Sequence, residues 1–192
     1  MYQNLIRQSL QEGIELRQEM LKLADQIEAG GKVLIQSLAA GGRIFFCGNG
    51  GSAADCQHIA AELVGRFEMD NQLNALALTT DSSILTAVAN DFGYDQIYVR
   101  QLRALGRSGD CLVAISTSGN SPNIIKAVEA AGEIGMTSVG LSGGQGGRLA
   151  GLCTHTLVVP SPRTCRIQEI HLSVGHIWCE MIEEARRAGQ LP

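Results

Sequence analysis

Two kinds of hydrophobic pattern divide the chain. Over residues 2–29, Leu5, Ile6, Leu10, Ile14, Leu16, Met20, Leu21, Leu23 and Ile27 recur near helical spacing with charges between them. This predicts an amphipathic helix. Gly30-Gly31 interrupts the pattern, and residues 32–41 read as a second helix ending at Gly41-Gly42. From residue 43 the apolar positions collapse into short runs at 43–48, 73–79, 111–116, 137–143 and 154–160. Near-continuous apolar runs of that length predict strands buried on both faces. Helical stretches separate them near 52–66, 83–105 (broken at Phe92-Gly93), 121–135 and 147–152, and a last helix spans about 164–187. The alternation predicts an α/β fold, a doubly wound five-stranded parallel sheet. The chain reads as one domain over 1–192, with N-terminal helices (1–42), a parallel core (43–160) and a C-terminal helix (161–192). The N-terminal helices either cover the sheet or serve as an oligomer contact.

Composition narrows the class. A chain of 192 residues, 45% hydrophobic and 18% charged, is not disordered. Its net charge of −4 and the lack of a basic stripe argue against a nucleic-acid partner or an anionic membrane surface. The start, MYQNLIRQSLQEG, lacks the pattern of a signal peptide, and no apolar run approaches a membrane span. A cytoplasmic protein is expected. The six cysteines, at 47, 56, 111, 153, 165 and 179, form no CxxC pair and lie mostly in apolar runs. They read as small buried hydrophobes.

Three strands end in Gly/Ser loops. Gly48-Asn49-Gly50-Gly51-Ser52 would let a ligand approach the backbone and the start of a helix, although any tight turn favours glycine. It lacks the spacing of a dinucleotide fingerprint. The loop Ser116-Thr117-Ser118-Gly119-Asn120-Ser121-Pro122 places four hydroxyls at a helix start, a cradle suited to a phosphate monoester. The alternative is a helix cap by Ser121, which needs one hydroxyl. Ser142–Gly147 reads as a turn of low functional weight.

His58 and Glu62 share a helix face at i, i+4. The last helix carries Gln168, Glu169, His171 and His176, so three of the four histidines fall on these two helices. The set His58, Glu62, Gln168 and His176 suits a borderline divalent metal, and the same residue types suit proton transfer at carbon. A surface pair is the alternative. His155 reads as structural, Asn90-Asp91 as a cap or a ligand contact, and Arg66 and Arg163 as phosphate partners or surface charges.

CGNGGSAADCQHIAAELVGRF, the AND at 89–91, GDCLVAISTSGNSPNIIKAVEAA and RIQEIHLSVGHIW together resemble the phosphoheptose isomerases, within the sugar-isomerase (SIS) superfamily. The likeness covers nearly the whole chain. It implies a flavodoxin/Rossmann-like SIS fold, a homotetramer with sites shared between subunits, and isomerisation of sedoheptulose 7-phosphate towards activated heptose for lipopolysaccharide or related glycans. By motif position it assigns the phosphate to Ser116, Thr117, Ser118 and Ser121. Sugar contacts fall to Asn49, Gly50, Gly51, Ser52, Asn90 and Asp91, with Glu62 and Gln168 also facing the substrate. One zinc ion falls to His58, Glu62, Gln168 and His176, and the catalytic pair is Glu62 and His176. Cys165 stands where some members have an acidic residue, and Thr164 is the candidate substitute. A related replication regulator that binds the initiator DnaA keeps the fold and serine loop but lacks the acid and second histidine, and both are present here. A sugar-phosphate sensor module would need a DNA-binding segment that this chain lacks.

Overall fold

The computed structural model describes residues 1–191. All five apolar runs form strands: β1 (Ile44–Gly48), β2 (Ala75–Ala77), β3 (Cys111–Ile115), β4 (Thr137–Gly143) and β5 (His155–Val159). They pair in parallel in the order β2-β1-β3-β4-β5. The helices are α1 (Gln3–Leu21), α2 (Ala24–Ala39), α3 (Gly51–Val64), α4 (Ser82–Phe92), α5 (Ile97–Leu105), α6 (Pro122–Ile134) and α7 (Thr164–Arg187). Alternation along each strand divides the core. Ile44, Phe46, Val113 and Leu141 pack with α2, α3 and α7, while Phe45, Cys47, Leu112 and Ala114 pack with α5 and α6.

Three elements differ from expectation. β2 is only three residues long, an edge strand paired with β1 alone, because the Leu73 N–H goes to the Leu63 carbonyl at the end of α3. The stretch at 147–152 is a single 3-10 turn, Arg148–Gly151. The first helical break falls at Lys22-Leu23, and α2 runs straight through Gly30-Gly31. The reason is packing. A Cβ at Gly30 would lie 2.8 Å from the Trp178 ring, and one at Gly31 would lie 2.6 Å from Met181. Trp178 is itself fixed, since its indole N–H donates to the Ile27 carbonyl at 2.8 Å. The glycine pair lets α2 lie close on α7, and this contact overrides its low helix propensity.

α1 buries only Gly13, Leu16 and Met20 and leaves Leu5, Ile6, Leu10, Ile14 and Leu21 exposed, so covering the sheet does not account for its apolar face. No helix among the described residues is long and apolar enough to cross a membrane. In the packing account, Gly30→Ala destabilises the fold. The overpacking cost of about 1–3 kcal/mol exceeds the roughly 1 kcal/mol that alanine gains in helix propensity. A lower urea midpoint with an unchanged slope is the expected result, and a raised midpoint would contradict it.

Candidate active site

β1 and β3 lie side by side where the strand order reverses, and the first two Gly/Ser loops leave their carboxyl ends there, the usual ligand crevice of an open parallel sheet. The loops are tied together. Asn49 Nδ2 donates to Asn123 Oδ1 at 2.9 Å, and Asn123 Nδ2 donates back to Asn49 Oδ1 at 2.8 Å. The Tyr94 hydroxyl donates to the same Asn49 oxygen at 3.2 Å. The Asn49 side chain, expected at the sugar, thus also ties the loops together. Gly50 takes a φ of +55°, and Ser52 is buried at the start of α3.

In the second loop Ser121 stands at the N-cap position of α6, yet its side chain makes no capping bond. It accepts instead from the Ser116 hydroxyl at 3.1 Å. The simple capping alternative therefore does not describe this loop. Ser118 accepts from the Asn120 N–H at 3.2 Å, and Thr117 and Ser118 face a cleft of about 280 Å³ with Gly144, Gln145 and Thr164. Thr164, the candidate substitute, shares this cleft, and Cys165 is exposed.

The third loop has more than a turn's role. It forms the wall behind the hydroxyl loop. Gly119 has a φ of +65°, and a Cβ there would lie 1.9 Å from the Gly146 carbonyl. The Leu149 N–H donates to the Gly119 carbonyl at 3.0 Å. Two glycine-rich segments are needed because two backbones meet face to face.

The helical residues converge from α3 and α7. A Cβ at Gly175 would lie 2.6 Å from Ile59 Cδ1, so the glycine allows the helices to approach. His58 Nε2 lies 3.2 Å from Glu62 Oε1 and 2.9 Å from His176 Nε2. The donor atoms of all three residues fall within 4.8 Å of one another. Two imidazole nitrogens and a carboxylate oxygen converging in this way fit a borderline divalent ion such as zinc. Gln168 reaches over the start of α3, where a Cβ on Gly51 would lie 2.6 Å from its Nε2. Asn90 and Asp91, by contrast, sit exposed at the end of α4, hydrogen-bonded to each other at 2.7 Å and to none of the loop residues.

Two residues were not singled out from sequence. Phe67 stacks on His176 with centroids 5.7 Å apart and planes at 25°. Nothing in its local pattern marks it. Asp55 had a usable signal, its spacing three residues before His58. Partial burial raises its carboxyl above the ordinary range, and nearby His58 opposes that shift.

Other expectations resolve simply. Arg163 pairs with Glu12, Arg66 bridges to Asp70 through the backbone, and His155 Nε2 meets the Gln26 carbonyl at 2.7 Å. All six cysteines are free, and burial pushes Cys111 and Cys179 up to about 12, which keeps them as inert thiols.

Comparison with known proteins gives the arrangement a lineage. The SIS domain family matches residues 8–143. A phosphoheptose isomerase of Nitratidesulfovibrio vulgaris (Miyazaki F) is 52% identical over 174 residues, 90% of this chain and 84% of that one. The chain belongs to the SIS-domain family, among the phosphoheptose isomerases. A Campylobacter jejuni phosphoheptose isomerase is 48% identical over 94% of this chain and 98% of its own. The solved phosphoheptose isomerase of Neisseria gonorrhoeae superposes with a TM-score of 0.91 at 45% identity, covering 96% of this chain and 100% of that one.

In this SIS domain, His171 is the one histidine of the last helix turned inward. It is 1% exposed, and its Nε2 lies 3.1 Å from the Ser142 carbonyl, which fixes that nitrogen as the donor. Burial pushes its pKa from 6.5 down to about 4, against the opposing backbone hydrogen bond. The unfolded chain therefore binds a proton between those values that the folded chain refuses, and stability falls as pH drops from about 6.5 towards 4. By linkage this group removes about 2 kcal/mol between pH 7 and pH 5. Unfolding titrations at the two pH values should show a smaller loss in His171→Gln than in the wild type. Equal losses would contradict the assignment.

Proposed function

We propose that this chain is an aldose–ketose isomerase converting D-sedoheptulose 7-phosphate to D-glycero-D-manno-heptose 7-phosphate, the first step towards activated heptose. One observation carries the reading: a carboxylate and an imidazole, Glu62 and His176, face one site from α3 and α7 in a chain 52% identical to a phosphoheptose isomerase. The DnaA-binding relative lacks both groups, and no feature of the fold favours that role.

The mechanism starts from the phosphate. The hydroxyls of Ser116, Thr117, Ser118 and Ser121 and the first-turn N–H groups of α6 suit a phosphate monoester at the crevice. Anchoring that end orients the rest of the sugar, converting the proton transfers into steps within one complex. In this reading Asn49, Gly50, Gly51, Ser52 and Gln168 are the sugar contacts between the hydroxyl loop and the acid–base pair. Asn90 and Asp91 are the contacts this protomer does not itself bring to the loops, consistent with a site completed in an assembly.

Isomerisation requires removal of the proton on C1, transfer of the hydroxyl proton between O1 and O2, and delivery of a proton to C2. Glu62 and His176 are the acid–base pair for these transfers, each contributing about 10²–10⁴-fold. Glu62 Oε1 lies 3.2 Å from His58 Nε2, which holds the carboxylate beside the imidazole. Phe67 stacks against one face of the His176 ring. Zinc, held by His58, Glu62, His176 and Gln168, would supply Lewis-acid polarisation of the oxygens on the reacting carbons.

Glu62→Gln and His176→Ala each leave a folded protein whose turnover of sedoheptulose 7-phosphate falls at least about 10²-fold. Wild-type rates in either variant would overturn the assignment. Activity lost on chelation and restored by zinc supports the metal, whereas full activity in the chelated protein contradicts it.

The assembly we propose is a homotetramer in the cytoplasm, joined through the apolar face of α1 and through α4, which buries none of its residues in the protomer. Light scattering should give four times the 20.4 kDa chain mass, and a monomer would contradict it.

A further inference from the structure

Glu183 is a carboxylate that the reaction does not touch, yet it is only 1% exposed. It lies seven residues beyond His176 on α7, two turns along the same face. A buried carboxylate is costly, and an apolar side chain would fill such a site at lower cost. What this one does is hold the loop between α3 and β2. Its Oε1 accepts from the main-chain N–H groups of Glu68 at 3.1 Å and Met69 at 2.9 Å, and from Asn71 Nδ2 at 2.8 Å.

The loop leads directly to both members of the acid–base pair. Asn71, itself buried, also donates from Nδ2 to the backbone carbonyl of Glu62 at 3.2 Å, which ties the last turn of α3 to the same carboxylate. On the other side Phe67, adjacent to Glu68, lays its ring against His176. The loop cannot relax into this shape unaided. Gln72 is held at a φ of +54°, a left-handed conformation that costs a non-glycine residue energy and persists only where its surroundings impose it. Two neighbouring arginines reinforce the hold. Arg186 donates to the carbonyls of Asp70 at 2.7 Å and Asn71 at 3.0 Å, and Arg187 sits 3.6 Å from Glu183 and 3.4 Å from Glu68.

We propose that Glu183 is a positioning residue for catalysis, setting Glu62 through Asn71 and His176 through Phe67 from a single buried carboxylate. The proposal rests on the isomerase reading above. Misplacing a reacting group by about 1 Å is enough to cost roughly 10²-fold in rate. Glu183 therefore acts on kcat and leaves substrate affinity, which the hydroxyl loop controls, nearly unchanged.

The test uses the full chain with sedoheptulose 7-phosphate and four proteins: wild type, Glu183→Gln, Phe67→Leu and Phe67→Tyr. Glu183→Gln and Phe67→Leu should lower kcat by roughly 10–100-fold while KM stays within about 2-fold, and Phe67→Tyr, which keeps the ring, should return most of kcat. Hydrogen exchange should show the Glu68 and Met69 amides losing protection in Glu183→Gln while the central amides of α3 and α7 keep theirs. Phe67 is only half-buried, so its variants decide the matter even if Glu183→Gln fails to fold. Wild-type kcat in a folded Glu183→Gln or in Phe67→Leu, or an equal fall in Phe67→Leu and Phe67→Tyr, would overturn the positioning role. A wild type that turns over no substrate would overturn the isomerase reading instead.

Discussion

The approach of α3 to α7 is the constraint on which the site depends. His58 and Glu62 are fixed relative to each other by helical geometry, but His176 joins them only if the two helix axes come close. Gly175, next to His176 in sequence, makes that possible, because any side chain there would overlap Ile59. The approach is supported elsewhere along α7 by the same device. Gly30 and Gly31 let α2 lie against Trp178 and Met181, and Gly143 leaves room for Ile167. α7 is thus seated where glycines meet side chains along its length. A helix seated in this way holds imidazole nitrogens within 2.9 Å of each other without covalent help.

The two halves of the site have different physical characters. The crevice between β1 and β3 is built from main chain, glycine and hydroxyls, groups that present partial charges at fixed positions and carry no net charge of their own. That composition suits a dianionic phosphate, which is stabilised by aligned N–H groups without a cation competing for the acid–base residues. The helical half carries the titratable groups. The Asn49–Asn123 amide pair and the Gly119–Gly146 contact tie the crevice loops together, so in the proposed reaction binding energy at the phosphate would orient carbons several bonds away.

Much of this was legible in the sequence, and the limits have physical causes. The strands stood out because residues such as Ile44–Gly48 and Cys111–Ile115 are buried on both faces and leave no polar alternation. The His58/Glu62 pair and the hydroxyl loop were visible because each is a local pattern. Gly30-Gly31 misled because a glycine pair looks the same in sequence whether it ends a helix or admits a tryptophan. The weight of Ser142–Gly147 was hidden for a similar reason, since its partner, Gly119, lies in another loop. Phe67 and Glu183 carry no local signal at all. Their roles arise from contacts between residues more than a hundred positions apart, which only the fold brings together.

In the proposed reaction, carbon-bound protons pass through Glu62 and His176. Incubating the protein with sedoheptulose 7-phosphate in D₂O and following the mixture by proton NMR reads that proton transfer. Aldose with deuterium at C2, and exchange at C1 of the recovered ketose, is the expected result. Binding of the sugar phosphate with neither product nor exchange, or product that stays free of deuterium through repeated turnover, would contradict it.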